Sequence, residues 1–184
     1  MKPKILLIGA STGGPSLIKE LLLSLTSLNY TIVIAQHMKE EVLPFYIDDL
    51  KSSVKFCVKS TPITSTFMGG DIIVCSKSTT VQKECNKFKF VTDTANQIYT
   101  PDINKLFNSF LPYANELDIS IIILSGIGSD GVNGSKNLKQ YSSKIIAQDE
   151  KDCAVYGMPK AMVEMGIVDE IRTIDEIKNY MREL

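Results

Sequence analysis

The chain has no tryptophan, one histidine, and four cysteines of which no two are spaced Cys-x-x-Cys. With a single histidine and no paired thiols, a zinc site would need an unusual ligand set, so no metal and no cofactor are expected. A disulfide framework is equally out of place in a domain of this size. Cys57, Cys75, Cys85 and Cys153 are therefore read as reduced thiols of a cytoplasmic protein, with Cys57 and Cys75 as core filler inside apolar runs. Long apolar runs are missing too. Ile5-Leu6-Leu7-Ile8 is far too short for a signal sequence or a membrane span, and no later segment reaches spanning length, which argues against membrane insertion. An excess of one charge is also lacking: 20 Lys and Arg face 21 Asp and Glu, for a net charge of −1. With those charges spread along the chain, no nucleic-acid surface is declared.

What is present suits one core. At 184 residues and 44% hydrophobic content, the chain is expected to form a single domain over residues 1–184. Apolar runs alternate with segments of helical period. Strands are expected at Ile5–Ile8, Thr31–Gln36, Ile119–Leu124 and Lys144–Gln148. Helices are expected at Pro15–Leu25, Glu40–Leu50, Ile103–Tyr113, after Asp130, and in two short pieces at Pro159–Met165 and Ile174–Arg182. The strands are continuously rather than alternately apolar, which fits a sheet covered on both faces. The fold class is therefore α/β, a doubly wound, mostly parallel sheet with helices on both faces. Between residues 54 and 99 the pattern shifts to short β-branched and aromatic runs (Val54–Val58, Asp71–Cys75, Lys87–Val91), read as a small antiparallel hairpin excursion.

Three segments that end strands carry candidate chemistry. The first turn, Gly9-Ala10-Ser11-Thr12-Gly13-Gly14, has the G-x-S-x-G form that lifts a serine hydroxyl out of a sheet at a helix N-terminus. A dinucleotide loop fits less well, because Ser11 replaces the middle glycine and the second strand does not end on an acid. Read alone, the turn serves equally as a nucleophile turn or as a helix cap by Ser11 or Thr12. The second segment is Gln36-His37-Met38, at the end of the next strand, which parallel neighbours would bring beside the first turn. The third is Ser125-Gly126-Ile127-Gly128-Ser129-Asp130-Gly131, where Asp130 could orient an imidazole or merely cap the following helix. Together the three ends supply Ser, His and Asp on one sheet edge, a far more specific signal than any member.

These motifs, with Gly157-Met158-Pro159, resemble the catalytic domain of the CheB chemotaxis methylesterases from about Lys4 to the last strand. The resemblance implies Ser11 as nucleophile, His37 as base and Asp130 as orienting acid. It also implies Thr12, Gly13, Ile127 and Gly128 beside the substrate and the oxyanion, with Ile127 where the family usually has methionine. The implied reaction is hydrolysis of glutamate methyl esters on the cytoplasmic helices of methyl-accepting chemoreceptors, with glutamine deamidation as a related activity. The family usually carries an N-terminal receiver domain, whereas here the first strand begins almost at Met1, so a catalytic domain alone is expected. Two stretches depart from the family: Ile73-Val74-Cys75-Ser76-Lys77-Ser78 lacks proline and histidine, and Thr100-Pro101-Asp102-Ile103-Asn104 lacks the family's arginine. Both are expected to line the substrate cleft. The competing reading is a catalytically silent α/β module that binds receptors or a nucleotide phosphate at the first turn.

Overall fold

A computed structural model describes residues 2–93, 100–141 and 143–184. Its main sheet contains β1 (Lys4–Ala10), β2 (Thr31–Gln36), β3 (Cys57–Ser60), β5 (Asp71–Val74), β8 (Asp118–Ile123), β9 (Lys144–Gln148) and β10 (Glu170–Arg172). The seven strands lie in the order β10-β9-β8-β1-β2-β5-β3, and each neighbouring pair is parallel. A separate three-stranded antiparallel sheet is formed by β4 (Ile63–Ser65), β7 (Lys87–Thr92) and β6 (Thr79–Glu84).

Alternation along the strands sends side chains into two cores. Leu6, Ile8, Ile32, Ile34 and Ile146 pack against α1 (Gly14–Leu23), α2 (Leu43–Ser53) and α6 (Ile174–Glu183). On the opposite face, Ile5, Leu7, Val33, Ile121 and Ile123 meet α3 (Ile103–Ser109), α4 (Val132–Lys139) and α5 (Met158–Glu164). The antiparallel sheet joins this second core through Phe88 and Phe90, which cluster with Phe67 and Phe110. Burying each of these aliphatic and aromatic side chains contributes on the order of 1.5–3 kcal/mol before entropy is counted. Helices thus cover both faces of a parallel sheet, as the continuous apolar strands require.

The excursion is narrower than its sequence pattern indicates. Cys57–Ser60 and Asp71–Val74 are parallel members of the main sheet, and only β4, β6 and β7 are antiparallel. In β5, Ile72, Ile73 and Val74 are all buried, as a strand covered on both faces must be, whereas β7 alternates buried with exposed positions. Residues 94–99 of the expected excursion lie outside the described residues. Cys57 is exposed rather than core: it sits on the edge strand β3, where Val58 points inward and its neighbour outward. Cys75 is buried as expected. The helix expected over Ile103–Tyr113 ends at Ser109 and gives way to a 3₁₀ turn at Leu111–Tyr113, where Pro112 lacks the N–H that would continue the α-helical ladder.

Candidate active site

Strand β1 lies between β2 and β8, and all three run the same way. Their carboxyl ends are level, with Gly9 opposite Ala35 on one side and Ile123 on the other. The chain winds from β1 toward β2 and later returns to the other side of β1, so the strand order reverses here. Such switch points are where open α/β sheets carry their sites. Ser11, His37 and Asp130 follow these three strands.

The turn after β1 is a built structure. The helix-cap reading of Ser11 or Thr12 does not hold: α1 is capped by Gly13, with no side-chain cap hydrogen bond. Gly13 has φ +85°, a left-handed conformation in which a side chain would be strained. The Ser11 amide donates to the Ser125 carbonyl (3.0 Å), and the Ser11 carbonyl accepts from the Gly14 amide (2.9 Å). Ser125, fully buried, donates its hydroxyl to the Thr12 carbonyl at 2.7 Å and accepts from the Val155 amide at 2.9 Å. Its own amide donates to Gln148 Oε1 at 2.7 Å. The first turn is thus tied by Ser125 to the loop after β8 and to the segment around Val155.

His37 is delivered by β2, and its amide donates to the Ala10 carbonyl at 2.9 Å, one residue before Ser11. Its ring Nε2 lies 2.8 Å from Asp130 Oδ2, with side-chain exposures of 11% and 2%. Asp130 does not cap its own helix, because Gly131 takes that place with φ +92°. Instead the carboxylate receives the amides of Ile103 (2.8 Å) and Asn104 (2.9 Å), the first residues of α3, and that of Gly131 (2.8 Å). Burial pushes its pKa up, but the bonds from His37 and from the Ile103 and Asn104 amides outweigh that and hold it below the usual carboxylate range. An ionised carboxylate only accepts, so Nε2 carries the proton and Nδ1 bears the lone pair of the neutral ring. In the chymotrypsin triad it is the other ring nitrogen, Nδ1, that faces the aspartate.

The loop Gly126-Ile127-Gly128 forms the opposite wall. The Gly126 carbonyl accepts from the amides of Gly157 (3.1 Å) and Met158 (2.8 Å), which clamps the loop onto the N-terminus of α5. Ile127 stands at its tip, 63% exposed, and Gly128 follows with φ +89°. Thr12 is exposed and Gly13 half-buried at the facing turn. Two concavities lie beside Asp130 and beside the segment after His37. One, of about 440 Å³, is lined by residues including Asp130, Asn104, Asn133 and Glu164; the other, about 690 Å³ and open, by Met38, Lys39, Glu40, Glu41 and Thr100. Among the described residues, no group of three or more His, Cys, Asp and Glu is placed to hold a metal ion.

The segment 100–104 braces the site through its main chain. The Thr100 carbonyl accepts from the Met38 amide at 3.2 Å, and the Ile103 and Asn104 amides hold Asp130. Ser78, from the other divergent stretch, receives the Asp102 amide at 3.0 Å. Main-chain bonds of this kind tolerate changes of side chain. Residues that sequence reasoning passed over are Ser125, Gln36 and Gln148. Gln36 Nε2 donates to the Ser11 carbonyl (2.8 Å) and the His37 carbonyl (2.9 Å). The available signal was a glutamine directly after an apolar run in each of two strands, Ile32–Ala35 and Ile145–Ala147, a costly place for an amide unless loops satisfy it.

The family model for CheB methylesterase matches residues 6–181. A protein-glutamate methylesterase/protein-glutamine glutaminase of Lawsonia intracellularis is 33% identical over 178 residues, covering 94% of this chain and 50% of that protein. One of Nitratidesulfovibrio vulgaris is 34% identical over 178 residues, covering 94% of this chain and 48% of its own. The chain thus spans about half the length of the curated relatives it matches. The crystal structure of the Thermotoga maritima CheB methylesterase catalytic domain superposes with a TM-score of 0.86 at 25% identity, covering 100% of this chain and 99% of that one. With a family model spanning nearly its whole length and a shared fold, the chain belongs to the CheB methylesterase family.

Proposed function

We propose that this domain is a serine hydrolase that demethylates glutamate methyl esters on the cytoplasmic helices of chemoreceptors, in the cytoplasm, as part of chemotactic adaptation. The observation that carries the reading is the 2.8 Å bond between His37 and Asp130 at the strand ends on either side of the Ser11 turn. His37 Nδ1 takes the Ser11 hydroxyl proton as Oγ adds to the ester carbonyl carbon. The tetrahedral intermediate collapses when His37 returns that proton to the methoxy oxygen, releasing methanol and leaving an acyl-Ser11 ester. Water then adds to the acyl carbon with His37 again as base, and the glutamate carboxylate leaves. Throughout, Asp130 keeps the imidazole in one tautomer and stabilises its charged form.

The main chain of Thr12, Gly13, Ile127 and Gly128 is assigned to the oxyanion and substrate walls, on the two sides of the turn. A glutamine side chain reaches the same tetrahedral intermediate and releases ammonia, so deamidation belongs to the same machinery. Among the described residues, no helix is long and apolar enough to cross a membrane. The reading is tested by incubating the protein with methyl-labelled receptor membranes. Methanol release by wild type and none by Ser11→Ala is the expected result; equal release by both would refute it.

A further inference from the structure

We propose that Gln36 is a positioning residue of this site, one that sets the main chain of nucleophile and base relative to each other; the proposal rests on the hydrolase reading of Ser11 and His37. Its side-chain amide donates to the carbonyl of Ser11 at 2.8 Å and to the carbonyl of His37 at 2.9 Å. These residues lie on different strand ends, and the proton passes between their side chains. One buried NH₂ group therefore links the two backbones directly, beside the bond from the His37 amide to Ala10.

The orientation of this amide is determined. Flipping it would turn Oε1 onto two carbonyl oxygens, acceptor against acceptor at both contacts. In the observed orientation Oε1 has no hydrogen-bond partner among the described residues, although Gln36 is only 1% exposed. The residue thus holds a buried oxygen unsatisfied while both bonds of its nitrogen go to the site. The absence of a side chain on Gly14 makes room for it, since a Cβ there would fall 2.1 Å from Oε1. The Ser11 carbonyl is also held by the Gly14 amide, so the turn survives loss of Gln36 but is no longer tied to His37 through that carbonyl.

The test compares Gln36→Met, which keeps the length without the amide, and the gentler Gln36→Asn, too short to reach both carbonyls. Ile177→Val, in the buried face of the distant α6, serves as a stability control. Thermal unfolding, kcat and KM on a small activated ester, and the downfield proton resonance of the His37–Asp130 hydrogen bond are measured on each. Because the chain has one histidine, that resonance has one source. Folded Gln36 variants are expected to lose about 10- to 100-fold in kcat, as a small misplacement of reacting groups does. KM should stay within about twofold, and the ring N–H should exchange faster with water, while Ile177→Val changes neither. A Gln36→Met or Gln36→Asn protein that is folded, turns over within about twofold of wild type and keeps the resonance would overturn the proposal. So would an equal loss in Ile177→Val. If wild type hydrolyses no ester while the resonance still weakens in the Gln36 variants alone, it is the hydrolase reading that falls, and what survives is only that Gln36 holds the His37 ring in place.

Discussion

Gly126 lies flush against Ser11: a Cβ on the glycine would stand 2.6 Å from the Cβ of the serine and 2.5 Å from Met158 Sδ. Neither neighbour has room to withdraw, because the Ser11 amide is bonded to Ser125 and Met158 is fully buried. Gly126→Ala is therefore expected to cost about 1–3 kcal/mol of stability by overpacking. The larger effect falls on rate. Displacing Ser11 by several tenths of an ångström should lower kcat about 100-fold in protein that is still folded. Circular dichroism melting alongside esterase turnover separates the two, and a loss of rate no greater than the unfolded fraction would contradict it.

On the proposed hydrolase mechanism, Ser11 and His37 should behave as one unit. Ser11→Ala and His37→Ala are each expected to lower kcat by roughly 10⁴- to 10⁶-fold, and the double variant by no more than either single one. Losses that multiply would mean that the two residues do not act together.

Asp130 makes stability depend on pH in acid. Its pKa is lowered in the folded state despite burial, because His37 and the Ile103 and Asn104 amides favour the charged form. A depressed native pKa gives stability that is fully present above the unfolded value, about 4, and is lost as pH falls through the native one. Denaturant titrations below about pH 4 should show this decline in wild type and a shallower one in Asp130→Asn. At neutral pH that variant should itself be destabilised, since its NH₂ group faces amides that need an acceptor. Parallel acid slopes for the two proteins would remove Asp130 as the cause.

The four thiols should separate by reactivity. Burial pushes Cys75 up to about 12, and burial with the nearby charges of Asp152, Asp149 and Glu150 pushes Cys153 up to about 11. Cys57 and Cys85 are exposed. Iodoacetamide at mildly alkaline pH should therefore add two groups quickly and a third slowly, and reach Cys75 only on unfolding. Intact-mass kinetics with peptide mapping reads this directly; early alkylation of Cys75 in folded protein would show that the core opens there.

The parts legible in the sequence are those whose signal is local. Ile5–Ile8, Thr31–Gln36 and Ile119–Leu124 announce themselves as unbroken apolar runs, and these strands carry the site. That neighbouring strands bring His37 beside Ser11 follows from short connections alone. What escaped depends on tertiary partners. Asp71–Val74 is too short to declare its pairing, and Glu170–Arg172 is an edge strand with one apolar residue, paired only with β9. Asp130 is expected beside the imidazole, with a cap for α4 as the alternative; what the sequence does not show is that its carboxylate is also held by α3, an element 26 to 27 residues earlier in the chain. Gln36, Ser125 and Gln148 gave only the oddity of a polar residue among apolar ones. Their roles exist only once three loops have met.

The placement of β1 between β2 and β8 has a consequence for synthesis. A ribosome delivers Ser11 and His37 before Asp130, on strands that can pair at once. The acid that fixes the imidazole arrives only with the strand beginning at Asp118, and until then one edge of β1 has no neighbour. The pairing that brings Asp130 to His37 is therefore the same step that closes the middle of the sheet.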